Sequence, residues 1–324
     1  MRAPEFWHVP SKTGRILSPL SLLWRSGTAL RDLTTGKPWA ASIPIVCIGN
    51  LTAGGAGKTP LAIDLARALL ANRQNPHLLS RGYGSSLSGP ILVDPKIHDA
   101  SDVGDEPLLL AEAAPTWISR DRVAGAKQAI ENGANLIIMD DGFQNPTLAK
   151  SFSILAIDGG YGFGNGRVIP AGPLRETVTS GLARSDAAVI IGEDIYDIAK
   201  TIGDACPVFR ARIVAIPDPD LTDKKVFAFA GIARPSKFYA TLQEMNCDIV
   251  GSRNFPDHHK FDAEEVIKIC DHASQLGAIP VTTEKDYVRL PEEAHALIKS
   301  VHISLEWEEA NAHERLLEKV LVNG

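Results

Sequence analysis

Cysteine is scarce in this 324-residue chain. Its four cysteines, Cys47, Cys206, Cys247 and Cys270, form no C-x-x-C pair, and nothing beside them completes a zinc pattern. So few thiols in so long a chain exclude a disulfide framework and point to a reducing compartment. Each reads as a small buried apolar residue. Aromatics are also few, at 6%, which weighs against an antiparallel all-β architecture. No apolar run approaches the roughly 18 residues of a membrane-crossing helix. Glu5, His8, Pro10, Ser11 and Lys12 break the apolar stretch that a secretory signal would need. What is present is ordinary: 44% apolar and 22% charged residues exclude a disordered, collagenous or coiled-coil chain. The length suits one large α/β domain or two ordinary ones.

Charge is unevenly spread. Residues 1–40 carry Arg2, Lys12, Arg15, Arg25, Arg31 and Lys37 against Glu5 and Asp32, a balance of +4 within a chain of net charge −6, leaving −10 for the rest. The body is therefore a poor general nucleic-acid binder, whereas the N-terminal segment suits an acidic surface. Three of the five tryptophans (Trp7, Trp24, Trp39) also lie there. From Ile16 onward, Ile16, Leu17, Leu20, Leu23, Trp24 and Leu30 fall on one helical face, with Arg25 and Arg31 placed on the other. Pro19 is tolerable only in the first turn of such a helix. A basic amphipathic helix of this kind either lies in a membrane interface or packs on the protein's own core.

Beyond Trp39, short apolar runs alternate with helical patterns. Strands are expected at 43–48, 77–79, 91–93, 116–119, 136–139, 153–157 and 187–191, and helices at 58–71, 106–114 and 121–132, the last capped by Asp121. The turn-rich run Ile216-Pro217-Asp218-Pro219-Asp220 is the best boundary. A second βα series follows at 226–230, 236–245, 248–250, 263–276 and 279–282, with a last helix at 311–322. The expected fold is α/β: a mostly parallel sheet flanked by helices, with a second, smaller α/β series after the boundary; the loop at 49–59 makes the sheet one of the P-loop NTPase type.

The strongest chemical signal is Gly49-Asn50-Leu51-Thr52-Ala53-Gly54-Gly55-Ala56-Gly57-Lys58-Thr59, between an expected strand and an expected helix. That is the context of a phosphate-binding loop, whose backbone N–H groups and helix N-terminus face a polyphosphate. Residues 52–59 would line the nucleotide, Lys58 would reach the β- and γ-phosphates, and the Thr59 hydroxyl would ligate Mg²⁺. Thr52 stands where the usual pattern has glycine. A second carboxylate-bearing strand end, Leu136-Ile137-Ile138-Met139-Asp140-Asp141, would place Asp140 or Asp141 at the carboxyl edge of the sheet to hold the metal.

Other blocks are weaker alone. Gly104-Asp105-Glu106-Pro107 is either an acceptor carboxylate or a helix cap. Phe255-Pro256-Asp257-His258-His259 is either a functional loop or a polar surface loop. Pro170-Ala171-Gly172-Pro173-Leu174-Arg175-Glu176 presents Arg175 to an anion, and Thr283-Glu284-Lys285-Asp286 follows a strand.

Together with Ser80-Arg81-Gly82-Tyr83-Gly84 and Asp140-Asp141-Gly142-Phe143-Gln144, these blocks resemble the tetraacyldisaccharide 4′-kinase family of lipid A biosynthesis, in the family's order and over most of the chain. The resemblance implies transfer of the γ-phosphoryl of ATP, with Mg²⁺, to the 4′-hydroxyl of a tetraacylated glucosamine disaccharide 1-phosphate, giving lipid IVA. It implies Asp105 as base with His258, and a peripheral or monotopic enzyme on the cytoplasmic face of the bacterial inner membrane; the chemistry of the residues themselves adds Lys58 and Arg175 as candidate cations at the transferring phosphoryl. Its partners would be the lipid precursor and an anionic membrane surface, with no nucleic acid and no obligate protein partner. It also implies a division into a membrane-associating segment (1–40), a P-loop core (41–216), a smaller domain closing over the nucleotide (217–305) and a C-terminal helix (306–324). Asn145 departs from the family, where histidine is frequent. The rival reading is a membrane-associated regulatory ATPase acting as a switch. Such loops carry a second lysine where this chain has Ala53.

Overall fold

The computed structural model describes residues 4–323; Arg2 of the basic N-terminal set lies outside them. A 3-10 turn (Glu5–Trp7) leads into helix α1 (Lys12–Thr35). Then follow β1 (Ile45–Gly49), α2 (Lys58–Ala71), β2 (Pro76–Ser80), β3 (Ile91–Leu92), α3 (Ala100–Val103), α4 (Asp105–Ala111), β4 (Thr116–Ile118), α5 (Arg122–Glu131), β5 (Leu136–Asp140), β6 (Phe152–Asp158), α6 (Val178–Leu182), β7 (Ala187–Ile191), α7 (Ile198–Ile202) and β8 (Val208–Ala215). The second series is β9 (Lys225–Ala230), α8 (Pro235–Glu244), β10 (Asp248–Asn254), α9 (Ala263–Gln275), β11 (Ile279–Thr283), α10 (Glu284–Tyr287) and β12 (Lys299–Val301). It is followed by β13 (Ile303–Trp307) and α11 (Ala312–Asn323).

The larger sheet has nine strands in the order β13-β8-β7-β6-β1-β5-β2-β4-β3, parallel except at its two edge pairs, β13–β8 and β3–β4. Its central strands are buried throughout because helices cover both faces. On one face Leu61, Leu65 and Leu69 of α2 pack with Leu316 and Val320 of α11. On the other, Ala126 and Ala129 of α5 pack with Leu182 and Ile198. β1 lies between β5 and β6, so the chain leaves it on one side and returns on the other. Ligands bind at the carboxyl ends of strands at such a switch point. The smaller sheet, β10-β9-β11-β12, is all parallel and has its own core around Val226, Phe238, Leu242 and Val281.

The chain returns to the larger sheet earlier than the expected boundary at residue 305. β13 pairs antiparallel with β8, Ile303 opposite Ala215 and Trp307 opposite Ala211, and α11 buries Ala312, Leu316 and Val320 in the larger core. The alternation Ile303-Ser304-Leu305-Glu306-Trp307 is that of a half-buried edge strand.

Helix α1 starts at Lys12, capped by the Ser11 hydroxyl accepting from Gly14 N at 3.0 Å, so Pro19 lies in its interior rather than in its first turn. Of its residues only Gly14 and Ser21 are buried. It docks through polar atoms: Ser21 Oγ donates to Val168 O at 2.6 Å, Trp24 Nε1 to Arg175 O at 3.1 Å, and Arg167 Nη1 to Ser18 Oγ at 2.6 Å. Ile16, Leu23, Leu30 and Leu33 are each more than 60% exposed, so the apolar stripe does not pack on the core. Arg31 is not simply a solvated cation: its guanidinium donates to Gln144 O of the body at 3.1 Å.

Candidate active site

The loop between β1 and α2 is shaped by its own residues and by the segments packed beside it. Gly49 has no room for a side chain, since a Cβ there would lie 2.3 Å from Phe143 Cβ. Gly57 has φ +78° directly before α2, a conformation that glycine takes without strain. The Asn50 amide ties the loop together, Nδ2 donating to Thr52 O at 2.8 Å and Gly54 O at 3.1 Å. Its Oδ1 accepts from Lys58 Nζ at 3.3 Å, and Ala53 N donates to Pro173 O at 2.8 Å. Ala53, Gly54, Gly55 and Ala56 line the cavity above.

The two adjacent aspartates differ. Asp140 ends β5 beside Ile48 of β1 and is 1% exposed. Its Oδ2 lies 3.5 Å from Thr59 Oγ1, and its Oδ1 is buried without a hydrogen-bond partner. Burial, with Glu106 nearby, pushes its carboxyl up to about 7. Asp141, at φ +53°, is neutralised by Lys58 Nζ at 3.4 Å and Arg175 Nη1 at 3.2 Å. Burial opposes its ionisation, but those two cations hold its carboxyl below the usual range.

Opposite this wall, the smaller lobe brings His258 to Asp105. Gly104, not Asp105, is the N-cap residue of α4, so the capping reading of Asp105 does not hold. Asp105 is 4% exposed; its Oδ1 accepts from Glu106 N at 2.9 Å and its Oδ2 lies 2.9 Å from His258 Nδ1. His258 takes φ +59° and donates its backbone N–H to Gly231 O at 3.1 Å. A left-handed histidine persists only where its surroundings impose it. Burial disfavours the Asp105 carboxylate, yet His258, Lys285 and Arg289 together hold it well below the usual range. The same hydrogen bond raises the His258 imidazole above its ordinary value despite burial. His259 turns away, bonding Glu265 Oε2 at 2.8 Å and stacking on Phe255 at 4.7 Å. Lys58, Thr59, Asp141 and Arg175 on one wall and His258 and Lys285 on the other line one cavity of about 730 Å³ between the lobes.

Known proteins resemble this chain over nearly its whole length. The family model for tetraacyldisaccharide-1-P 4′-kinase matches residues 13–321. The chain belongs to this family. A tetraacyldisaccharide 4′-kinase of Rhodospirillum centenum is 49% identical, covering 99% of this chain and 97% of the relative. One from Rhodospirillum rubrum is 46% identical, covering 99% and 98%. Among solved structures, LpxK from Aquifex aeolicus in complex with ATP superimposes with a TM-score of 0.76 at 26% identity, covering 95% of this chain and 98% of that one. The α/β kinase fold expected from the sequence is thereby shown.

Several residues in and behind the cavity were given no role by the sequence reading. Lys285 Nζ bonds Glu106 Oε1 at 2.6 Å across the lobes, and burial's pull on the ammonium is overcome by Glu106 and Asp105, which raise its pKa. Arg289 Nε lies 3.7 Å from Asp105 Oδ2 and its Nη2 donates to Asp286 Oδ1 at 2.7 Å. Asp158, 4% exposed at the end of β6, takes ion pairs from Arg234 and from Lys237. Its signal was there: Ile154-Leu155-Ala156-Ile157-Asp158 repeats the apolar run into a carboxylate seen at Asp140. Asn145, in the place where histidine is frequent, caps a turn, accepting from Thr147 N at 3.1 Å and Leu148 N at 3.2 Å.

Proposed function

We propose that this chain phosphorylates the 4′-hydroxyl of tetraacyldisaccharide 1-phosphate at the expense of ATP, with the residues described above in distinct roles. One observation carries the reading: the phosphate loop and the Asp105–His258 pair face each other across a single cavity. A conformational switch needs the first and has no use for the second.

The chemistry follows from the geometry. Phosphoryl transfer depends mostly on positioning and on neutralising charge at the γ-phosphate. Lys58 and Arg175, both held on Asp141, supply fixed positive charge at the loop. Asp140, whose Oδ1 is unpartnered and whose Oδ2 lies 3.5 Å from the Thr59 hydroxyl, fits a divalent cation. Asp141 is already matched by two cations, which makes Asp140 the better metal carboxylate. Among the described residues no cluster of three or more His, Cys, Asp or Glu forms a metal cage, so Thr59 and Asp140 would share the ion with the phosphates. When bound, Mg²⁺ would neutralise charge developing on the phosphoryl oxygens.

The acceptor proton leaves through the pair. The resemblance implied Asp105 as base with His258; because His258 lines the cavity and Asp105 lies behind it, the imidazole here receives the proton and Asp105 supplies the supporting charge. A neutral imidazole, its Nδ1–H donated to Asp105, turns Nε2 to the hydroxyl and takes the proton, and the buried carboxylate stabilises the imidazolium that forms.

The acyl chains of the acceptor stay in a bilayer, so the enzyme must work at its surface. The exposed leucines of α1 and the cations of the N-terminal segment suit docking on the anionic cytoplasmic face of the inner membrane. No helix among the described residues is long and apolar enough to cross it. The deciding test is label transfer from γ-labelled ATP. Label in extracted lipid, dependent on added precursor, supports the reading. Release of phosphate alone, with no labelled lipid, would favour the switch.

A further inference from the structure

Arg234 belongs to the smaller lobe but is bound to the larger one. Its Nη2 donates to Gly55 O of the phosphate loop at 3.0 Å and pairs with the buried carboxylate of Asp158. Its guanidinium lies over the Tyr161 ring, 5.1 Å from the centroid. Lys237 Nζ reaches the same Asp158 oxygen at 2.5 Å. Two cations thus meet one carboxylate, leaving a unit of positive charge beside the loop. Gly55 sits three residues before Lys58, in the stretch that curls around the β- and γ-phosphates. The loop itself has Ala53 where related loops carry a second lysine, and Lys58 is its single cation.

Resting on the nucleotide-site reading above, we propose that Arg234 supplies from the smaller lobe the cation the loop lacks and is a ligand of the ATP polyphosphate. Guanidinium suits the task. It stays charged, it is weakly hydrated, and its planar fork matches phosphate oxygens. Contact with the ring and the Gly55 carbonyl has already removed part of its water, so binding a phosphate costs little further desolvation. Asp158 holds the fork at the loop before nucleotide arrives. ATP then becomes part of the interface between the lobes, and the triphosphate is what steadies the lobe that carries His258.

The test is the affinity of the full-length protein for a non-hydrolysable ATP analogue with Mg²⁺ and for AMP. Arg234→Gln should weaken the analogue about tenfold or more and AMP less than threefold, with the melting temperature near that of the unchanged protein. Arg234→Lys should recover part of the loss. Lys58→Ala is measured beside them. If it loses the analogue while Arg234→Gln binds as before, the proposal is overturned and Arg234 only staples the lobes. If Lys58→Ala also binds normally, the nucleotide-site reading itself has failed. Should Arg234→Gln not fold, Arg234→Lys decides: a loss of threefold or more for the analogue but not for AMP supports the contact, and no loss overturns it.

Discussion

The phosphate loop and the Asp105–His258 pair are built in opposite ways. The loop is one stretch of chain, placed by β1 and α2, with Asn50 and Gly57 shaping it from within and Phe143 and Pro173 of the same lobe bracing it. The pair joins residues 153 positions apart, from different lobes. The loop keeps its geometry as long as the larger sheet stands. The pair exists only while the lobes are together, held by Lys285 on Glu106, Arg289 near Asp105, and Arg234 and Lys237 on Asp158. The lesson is a division of labour. On the function proposed above, nucleotide binding is written into local sequence, while acceptor activation depends on contact between the lobes, which keeps water from the phosphates.

The sharpest way to break the comparison is to remove the loop's cation. Lys58→Ala should lower kcat/KM by about a thousandfold or more, because the charge on the transferring phosphoryl then lacks its fixed partner. Steady-state kinetics on the folded variant check this; near-normal turnover would remove the loop from the mechanism.

Next come the two halves of the pair. Asp105→Ala and His258→Ala should each cut kcat about 10²–10³-fold while ATP binding changes little. The double variant should be barely worse than the poorer single one, as expected of groups acting as a unit. Multiplying losses would mean independent roles. His259→Ala should leave kcat near normal, because His259 is engaged by Glu265 and Phe255. The pH dependence follows from the same bond. His258 has a raised pKa and Asp105 a lowered one, so Asp105 stays ionised near neutrality while His258 titrates. kcat should rise as pH passes upward through the His258 pKa, since only the neutral imidazole takes a proton, and that limb should vanish in His258→Ala. Stability runs the other way. The ion pair contributes fully below the ordinary histidine value of 6.5, down to where Asp105 protonates, and is lost as pH climbs through the raised value.

A smaller effect is expected at the metal carboxylate. Thr59→Ala and Asp140→Ala should each raise the Mg²⁺ concentration for half-maximal rate about tenfold. Asp141→Asn should act differently. Freed from their carboxylate, Lys58 and Arg175 lose position, so kcat should fall with less change in the Mg²⁺ requirement. An Mg²⁺ shift confined to Asp141→Asn would reverse the assignment of the two aspartates.

What was readable in the sequence divides along the same line. Helix α2 was placed to the residue, and the loop with it, because Gly57, Lys58 and the apolar spacing of Leu61, Leu65 and Leu69 act locally. Asp105 and His258 could be matched to a family pattern, but nothing in their neighbours' chemistry announced the contact. The choice between His258 and His259 is made by the turn at φ +59° and by Phe255, which claims the second ring. β13 was missed although its alternation was visible, because its partner β8 was not read as a strand either. Arg234 and Lys237 were passed over because a charged helix start reads as a solvated surface until Asp158 is seen beneath it.

The least effect on the chemistry is expected from α1, which makes it the control for both regions. Leu20 is 46% and Leu23 69% exposed, so replacing both with glutamate disturbs no packing in the body. The docking contacts Ser21–Val168 and Trp24–Arg175 are made by other side chains, and neither leucine takes part in them. Two buried-in-lipid leucines contribute about 1.5–3 kcal/mol each, and the added negative charges are repelled by anionic lipid. Leu20→Glu with Leu23→Glu should therefore move the protein from the membrane pellet to the supernatant. On detergent-dispersed acceptor its kcat should stay within about twofold of the unchanged enzyme, because neither the loop nor the pair has been touched. Unaltered partitioning would detach α1 from the membrane role. A large fall in kcat on dispersed acceptor would show that α1 does more than dock, and would draw the loop that carries Arg175 into the same unit as the helix resting on it.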